Sequence, residues 1–158
     1  MRRWLIGIAG FLILLFIAGA VIIYLTARST LAEELNEAEA VMLQEEDVQA
    51  VHDVSYYYGE EAVYTGDAVL DNENRVWLFV VNGNVVKKLG KKSTLPPEEA
   101  AAIVKNRFKL KKVRSITPGI EKNEPLYEIT FEKDGRLHYY YMRMEDGTFI
   151  KRYSLKQS

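Results

Sequence analysis

Hydrophobic positions along the chain fall into three successive patterns: an unbroken apolar run, then a helical stripe, then strands in alternation. The unbroken run is Trp4 to Ala27, WLIGIAGFLILLFIAGAVIIYLTA, 24 residues with no charge and only Thr26 as a polar side chain. At about 1.5 Å per residue, such a helix covers roughly 36 Å, enough to cross a ~30 Å hydrocarbon layer with some tilt. Arg2 and Arg3 precede it, and after Arg28 no Lys or Arg occurs until Arg75. The basic flank belongs in the cytoplasm, so the chain after Ala27 is expected outside.

Ser29 to about Glu46 reads as a second helical stretch, with no Gly or Pro. Leu31, Leu35, Ala38, Val41 and Met42 form an apolar stripe opposed by Glu33, Glu34, Glu37 and Glu45. Nothing between Thr26 and Glu33 breaks a helix, so the membrane helix is free to continue into this one as a stalk. Strand-like runs follow at Val51–Tyr58, Ala62–Leu70 and Arg75–Val81, separated by Gly59 and the Asp71-Asn72-Glu73-Asn74 turn cluster. Asn82-Gly83 ahead of Val85-Val86 predicts a tight hairpin, because both central residues of a type I′ turn need positive φ.

After the polar linker Gly90–Pro96, a new helix starts at Pro97-Glu98-Glu99, with proline in the first turn and acids at the positive end of the dipole. Ala100–Lys109 continues it, with Ala100, Ile103, Val104 and Phe108 on the apolar side. Strands are expected at Lys111–Thr117, ending before Pro118-Gly119, and at Leu126–Glu132, Leu137–Arg143 and Phe149–Tyr153. The alternation suggests sheets with one buried and one wet face.

The two halves resemble each other. Glu39-Ala40 corresponds to Glu99-Ala100, Val76–Val81 to Leu137–Met142, and Asn82–Lys88 to Asp146–Arg152, at an offset of 59 or 60 in front and 64 behind. A tandem duplication of one α+β unit is expected, a helix lying across a small antiparallel sheet.

Composition adds limits. The absence of cysteine removes disulfides, thiolate metal sites, a Cys nucleophile and a lipid anchor. An extracytoplasmic domain without disulfides points to a Gram-positive surface. Ala18-Gly19-Ala20 fits a signal-peptidase pattern, but cutting there would leave Val21–Leu25 as an apolar new terminus, so an uncleaved signal-anchor is preferred. The net charge of −1 hides a division: residues 29–74 carry 13 acidic and no basic side chains, and residues 75–158 carry 18 basic and 9 acidic. Such polarity can attract a partner, or the halves can neutralise each other.

Catalytic chemistry finds little support. Only His52 and His138 offer imidazoles, each inside a strand-like run; no Gly-x-Ser-x-Gly elbow or phosphate loop occurs, and no ligand cluster has metal spacing. Glu128 and Glu132 share one strand face and read as its exposed side. No catalytic residue, cofactor or metal is assigned. Two features read as candidate partner surfaces. One is the basic run Lys105, Arg107, Lys109, Lys111, Lys112 and Arg114, suited to anionic wall polymer, lipid headgroups or the acidic first half. The other is the pair of triplets Tyr56-Tyr57-Tyr58 and Tyr139-Tyr140-Tyr141, in which alternate rings must face opposite sides of a strand. Packing between the two units accounts for the same rings equally well.

Leu95-Pro-Pro-Glu-Glu-Ala100, Lys112-Val113, Pro125-Leu126-Tyr127-Glu128-Ile129 and the closing Asp146-Gly147-Thr148-Phe149-Ile150 are similar to the PepSY domain. Pro96-Pro97 departs from it, since PepSY helices more often start on a Ser or Thr cap. With the anchor and the related first unit, the chain resembles the TseB/YpmB-like cell wall elongation regulators of Bacillus-type Firmicutes. The resemblance implies an α+β chain: an N-terminal transmembrane helix, then two tandem cystatin-like, PepSY-like units, each one helix on a 3–4-stranded antiparallel sheet. The expected divisions are 1–28, the cytoplasmic tip and anchor; 29–90, the first cystatin-like unit with its stalk helix; and 91–158, the PepSY-like unit. It also implies a non-enzymatic protein of the cell membrane, single-pass, with its domains extracellular, that acts with a class B penicillin-binding protein. The alternative it leaves is a PepSY-type inhibitor of an extracellular peptidase. A wall hydrolase is a third reading, and a nucleic-acid partner is excluded by compartment.

Overall fold

The computed structural model describes the backbone of residues 2–156 and the side chains of residues 11–24 and 30–156. Two helices and eight strands follow one another as α1 (Arg2–Met42), β1 (Val48–Tyr58), β2 (Ala62–Leu70), β3 (Arg75–Val81), β4 (Asn84–Gly90), α2 (Pro97–Phe108), β5 (Ser115–Glu121), β6 (Glu124–Lys133), β7 (Arg136–Arg143) and β8 (Phe149–Lys156). A 3-10 turn at Lys91–Ser93 joins β4 to α2. The chain divides into two compact units, Met1–Asn36 and Glu37–Ser158.

The first unit is helical. In its described part, Phe11 to Ile17 and Val21 to Tyr24 are all exposed, from Val21 at 49% to Phe16 at 79%. The apolar side chains therefore surround the helix on every side. Among the described residues no helix is long and apolar enough to cross a membrane. The expected span Trp4–Ala27 includes residues 4–10 and 25–27, whose side chains lie outside the described residues. The backbone helix runs on without a break from Arg2 to Met42, as the absence of a helix breaker predicts.

In the second unit, strands β1 to β4 form one four-stranded antiparallel sheet in sequence order, and β5 to β8 form another in the same order. Each sheet has a helix ahead of it in the chain, which accords with tandem PepSY-like units. Two-residue loops set the register of three hairpins: Asn82-Gly83 (φ 50° and 72°), Asp134-Gly135 (51° and 67°) and Lys122-Asn123 (50° and 65°). Positive φ at both central residues matches the twist of the flanking strands.

The last turns of α1 close one face of the first sheet. Ala38 and Met42, four residues apart, are buried at 4% and 0% against Val51, Ala68, Leu70, Val76, Leu78 and Val80. The opposite face is also covered. Tyr57, Val63, Trp77 and Phe79 belong to a core they share with the second sheet and α2, including Ala100, Val104, Tyr127, Ile129, Phe131, Tyr140 and Met142. The expectation of one wet face therefore fails for β3, in which Val76 to Val80 are buried without interruption. Strands covered on both faces read as continuous apolar runs, and RVWLFVV is one.

A second difference lies at Pro118-Gly119, which was expected to end a strand over Lys111–Thr117. Instead β5 begins at Ser115 and carries both residues in its middle. It is an edge strand, and the Pro118 carbonyl points away from β6 to accept the Thr65 hydroxyl at 3.2 Å. The proline nitrogen lies on the same outward side, so its missing donor removes no ladder bond.

Helix α2 starts with Pro97 at its first position after Pro96, which offers no side-chain cap, and Glu98 and Glu99 occupy the first turn. It stops at Lys109 in the left-handed region (φ 55°), where the Leu110 amide donates to the Lys105 carbonyl at 2.9 Å.

Met42→Ala is expected to lower unfolding stability by about 2–4 kcal/mol, because the space it leaves is walled on both sides. Leu43→Ala, at 45% exposure, is expected within about 0.5 kcal/mol of the unsubstituted chain. Urea titration of the two variants measures the contrast.

Candidate functional site

A concavity of about 820 Å³ opens where the first sheet meets β5 and the start of α2. Its wall is built on Asp67, a carboxylate in the centre of the first sheet that is only 3% exposed. Burial of a lone charge is strongly unfavourable, and two cations offset it. Arg75, beside it on β3, donates from Nε at 3.1 Å and from Nη2, and Lys91 Nζ lies at 2.6 Å from Oδ2. The Lys91 ammonium also sits 4.2 Å from the centroid of the Trp77 ring. One carboxylate against two cations leaves the group with a single positive charge.

Tyr127 closes the floor and donates its hydroxyl to the Leu95 carbonyl at 2.9 Å. Burial pushes its phenol up to about 12, which keeps it a donor at every physiological pH. On the rim, β1 carries a bulge between His52 and Ser55, and Asp53 there adopts φ 50°. Left-handed backbone is uncommon outside glycine, though Asn and Asp adopt it more readily than most residues. The cleft thus sets aromatic and proline surface around one buried carboxylate paired with two cations. No group of three or more His, Cys, Asp or Glu able to hold a metal occurs among the described residues.

A second polar cluster joins the two sheets. Tyr57 is 2% exposed and donates to Glu121 Oε1 at 2.5 Å, and Lys151 Nζ lies 2.5 Å from Oε2 of the same carboxylate. Burial alone would raise Glu121, but the hydrogen bonds from Lys151 and Tyr57 outweigh it and hold the carboxyl below its usual range. Burial and the neighbouring carboxylate together push the Tyr57 phenol well up. Tyr141 behaves alike, through burial and its bond to Glu128 Oε2 at 2.6 Å.

These contacts decide where the tyrosine triplets lie. Tyr57, Tyr140 (1% exposed) and Tyr141 (8%) are interior and offer no ring to a partner. Tyr56 and Tyr58 face out, with Tyr56 lying against Tyr64 across the strands at 5.4 Å. Tyr139 is half-buried on β7. Packing between the two sheets accounts for the Tyr57 ring, as one of the two expected readings had it.

In the basic run, Lys105 is half-buried, while Arg107, Lys109, Lys111, Lys112 and Arg114 are exposed around the end of α2 and the loop to β5. Arg114 pairs with Glu132 at 3.0 Å, and Arg107 Nη1 donates to the Tyr140 hydroxyl. The halves do neutralise each other in part, through Arg75 and Lys91 on Asp67, Lys88 on Asp47, and Lys122 on Glu60 at 3.4 Å. None of those pairs uses the basic run. Glu128 is held by Tyr141 and Glu132 by Arg114, so they do not face each other as a catalytic pair. His138 stacks on Phe131 at 4.9 Å and 13°, and His52 is exposed. Sequence reasoning missed Arg152, which lies across from Tyr140 on β8, and the Asp67 group. The only signal for Asp67 was a carboxylate inside an otherwise apolar strand.

The Glu121 cluster has a defined pH signature. A carboxyl held low contributes stability that is present above its unfolded value, about 4.3, and is lost as pH falls through the folded value. Glu121→Gln is expected to lower stability at pH 7 by about 1–2 kcal/mol, with the difference shrinking below about pH 4. Denaturant midpoints measured from pH 3 to pH 8 would record it.

Residues 94–153 match the family described as PepSY, "Peptidase propeptide and YPEB domain". No curated protein matches the chain. Among solved structures, YpmB protein from Bacillus subtilis superposes with a TM-score of 0.66 at 24% identity, covering 75% of this chain and 96% of that one. A candidate lipoprotein from Clostridium difficile 630 aligns at 16% identity over 84% of this chain and 92% of that one, with a TM-score of 0.39. Both the family match and the YpmB superposition support the resemblance read from the residues. Helix α2 and the second sheet thus lie within the stretch that matches the PepSY family, and over three quarters of its length the chain shares the fold of YpmB.

Proposed function

We propose that the chain is a membrane-anchored, extracytoplasmic interaction module that regulates cell wall elongation by contacting a penicillin-binding protein. The observation that carries this reading is the pairing of a PepSY domain with an N-terminal helix whose described apolar side chains are exposed on every side. Phe, Leu and Ile held outward on all faces of a helix are stable in lipid and unfavourable in water. The two arginines before the apolar run favour a cytoplasmic N-terminus and outer domains. A shared membrane raises the effective concentration of a second membrane protein, so a modest contact suffices. The reading is non-catalytic: the buried carboxylate of the cleft is held by Arg75 and Lys91, Glu128 by Tyr141, and Glu121 by Tyr57 and Lys151.

Exposed Tyr58, Arg107 and Tyr153 are the positions for photoreactive residues, since Tyr57 and Tyr140 are interior. Crosslinking in membranes with the anchor intact is expected to recover a penicillin-binding protein from at least one of them. Recovery of no wall-synthesis protein from any of the three, with the chain retained in the membrane, would contradict the proposal. The match to a family described by peptidase propeptides favours a second reading, inhibition of a surface peptidase. Under that reading the same crosslinks carry a peptidase instead.

A further inference from the structure

A groove of about 430 Å³ lies at the C-terminal end of α2, floored by Phe108 and Phe149 above the buried Tyr140 and flanked by Arg107 and Arg152. The floor is one packed aromatic set: Phe108 meets Tyr140 edge-on at 5.6 Å, and Phe149 lies 5.2 Å from Tyr140. Each guanidinium rests over a ring, Arg107 at 5.7 Å from the centroid of Tyr140 and Arg152 at 5.4 Å from that of Phe108. Stacking engages the flat face of a guanidinium and leaves the N–H donors along its edge available.

Those donors are mostly unspent. Arg107 gives one to the Tyr140 hydroxyl, and among the described residues no carboxylate pairs with either arginine. The Phe108 carbonyl is taken by Lys133 Nζ at 3.1 Å. The groove therefore presents positive charge and donors above an apolar floor. Its complement is an anion made of acceptors, attached to a small carbon body.

Guanidinium edges pair with phosphate and carboxylate oxygens alike. A phosphodiester joined by short carbon linkers also suits the apolar floor, whereas the backbone amides of an acidic peptide would meet rings that offer them no partner. Lys105, Lys109, Lys111 and Lys112 stand around the same helix end, and no ion pair engages them among the described residues. Complementing the last turn of α2 calls for one or two cations, not six. A row of charge beyond the groove fits an anion that repeats.

We propose that this groove binds one phosphodiester of a polyphosphodiester chain. Arg107 and Arg152 hold the phosphate oxygens, the aromatic floor receives the linking carbons, and the lysines meet the neighbouring phosphates. The site stands independently of the penicillin-binding partner and of the membrane anchor.

The test uses the full chain in nonionic micelles, titrated by calorimetry with an oligo(glycerol phosphate) of six units, a hexaglutamate and phosphatidylglycerol vesicles. The oligophosphate is expected to bind, and Arg152→Gln to weaken it at least tenfold. Lys122→Gln, an equal charge change on the remote β5–β6 turn, is expected to weaken it less than twofold. Arg107→Gln is expected to match Arg152→Gln, and Arg152→Gln keeps the test open if loss of the Tyr140 bond unfolds the former. Equal loss in Lys122→Gln would reduce the site to diffuse attraction and overturn the proposal. Hexaglutamate binding as tightly, or vesicles binding where the oligophosphate does not, would overturn it as well.

Discussion

The fold of the second unit depends on one ring. Tyr57, near the end of β1, lies flat over Gly119 of β5, where a Cβ would come within 2.3 Å of its Cδ1. Its hydroxyl then reaches Glu121, two residues farther along the same strand, and Lys151 of β8 closes the carboxylate from the other side. A side chain of the first sheet thus fills a place in the surface of the second. Two small sheets of four strands would each bury little on their own. Joined through Tyr57, with Thr65 bonded to the Pro118 carbonyl beside it, they share one core.

That sharing explains why local patterns were readable and the assembly was not. β2, β3 and α2 stand where periodicity, proline and turn residues place them. The bounds of β5 could not be read, because Pro118-Gly119 is a strand breaker only when its strand needs a donor and a side chain there. On an edge facing Thr65 and Tyr57 it needs neither. The Lys122-Asn123 turn carries no glycine, so its composition concealed a conformation that Asn82-Gly83 announced. The continuous burial of β3 was visible as an apolar run, but its cause, a helix end on one face and a second sheet on the other, is a matter of tertiary structure.

The candidate surfaces divide in the same way. Alternation correctly separates Tyr57 from Tyr56 and Tyr58, yet which side faces solvent depends on where β5 lies. In the second triplet, Tyr140 is covered by α2 and Tyr141 by Lys151 and Tyr153, so neither ring is available to a partner. The basic run was legible because charge is local. Its combination with Arg152 was not, since the two meet only through the register of β7 with β8. Function follows from this arrangement. Polar groups inside the unit are consumed in joining sheets, and what remains outside is an aromatic edge, a basic helix end and, at the N-terminus, an apolar helix.

The central claim is that Tyr57 makes the two sheets one cooperative body. Amide hydrogen exchange on Tyr57→Ala, compared with the unsubstituted chain, tests it most directly. Protection is predicted to fall together in β2–β3 and β6–β7, although only β1 carries the change. Loss of protection confined to β1–β4, with β5–β8 exchanging as before, would contradict the account.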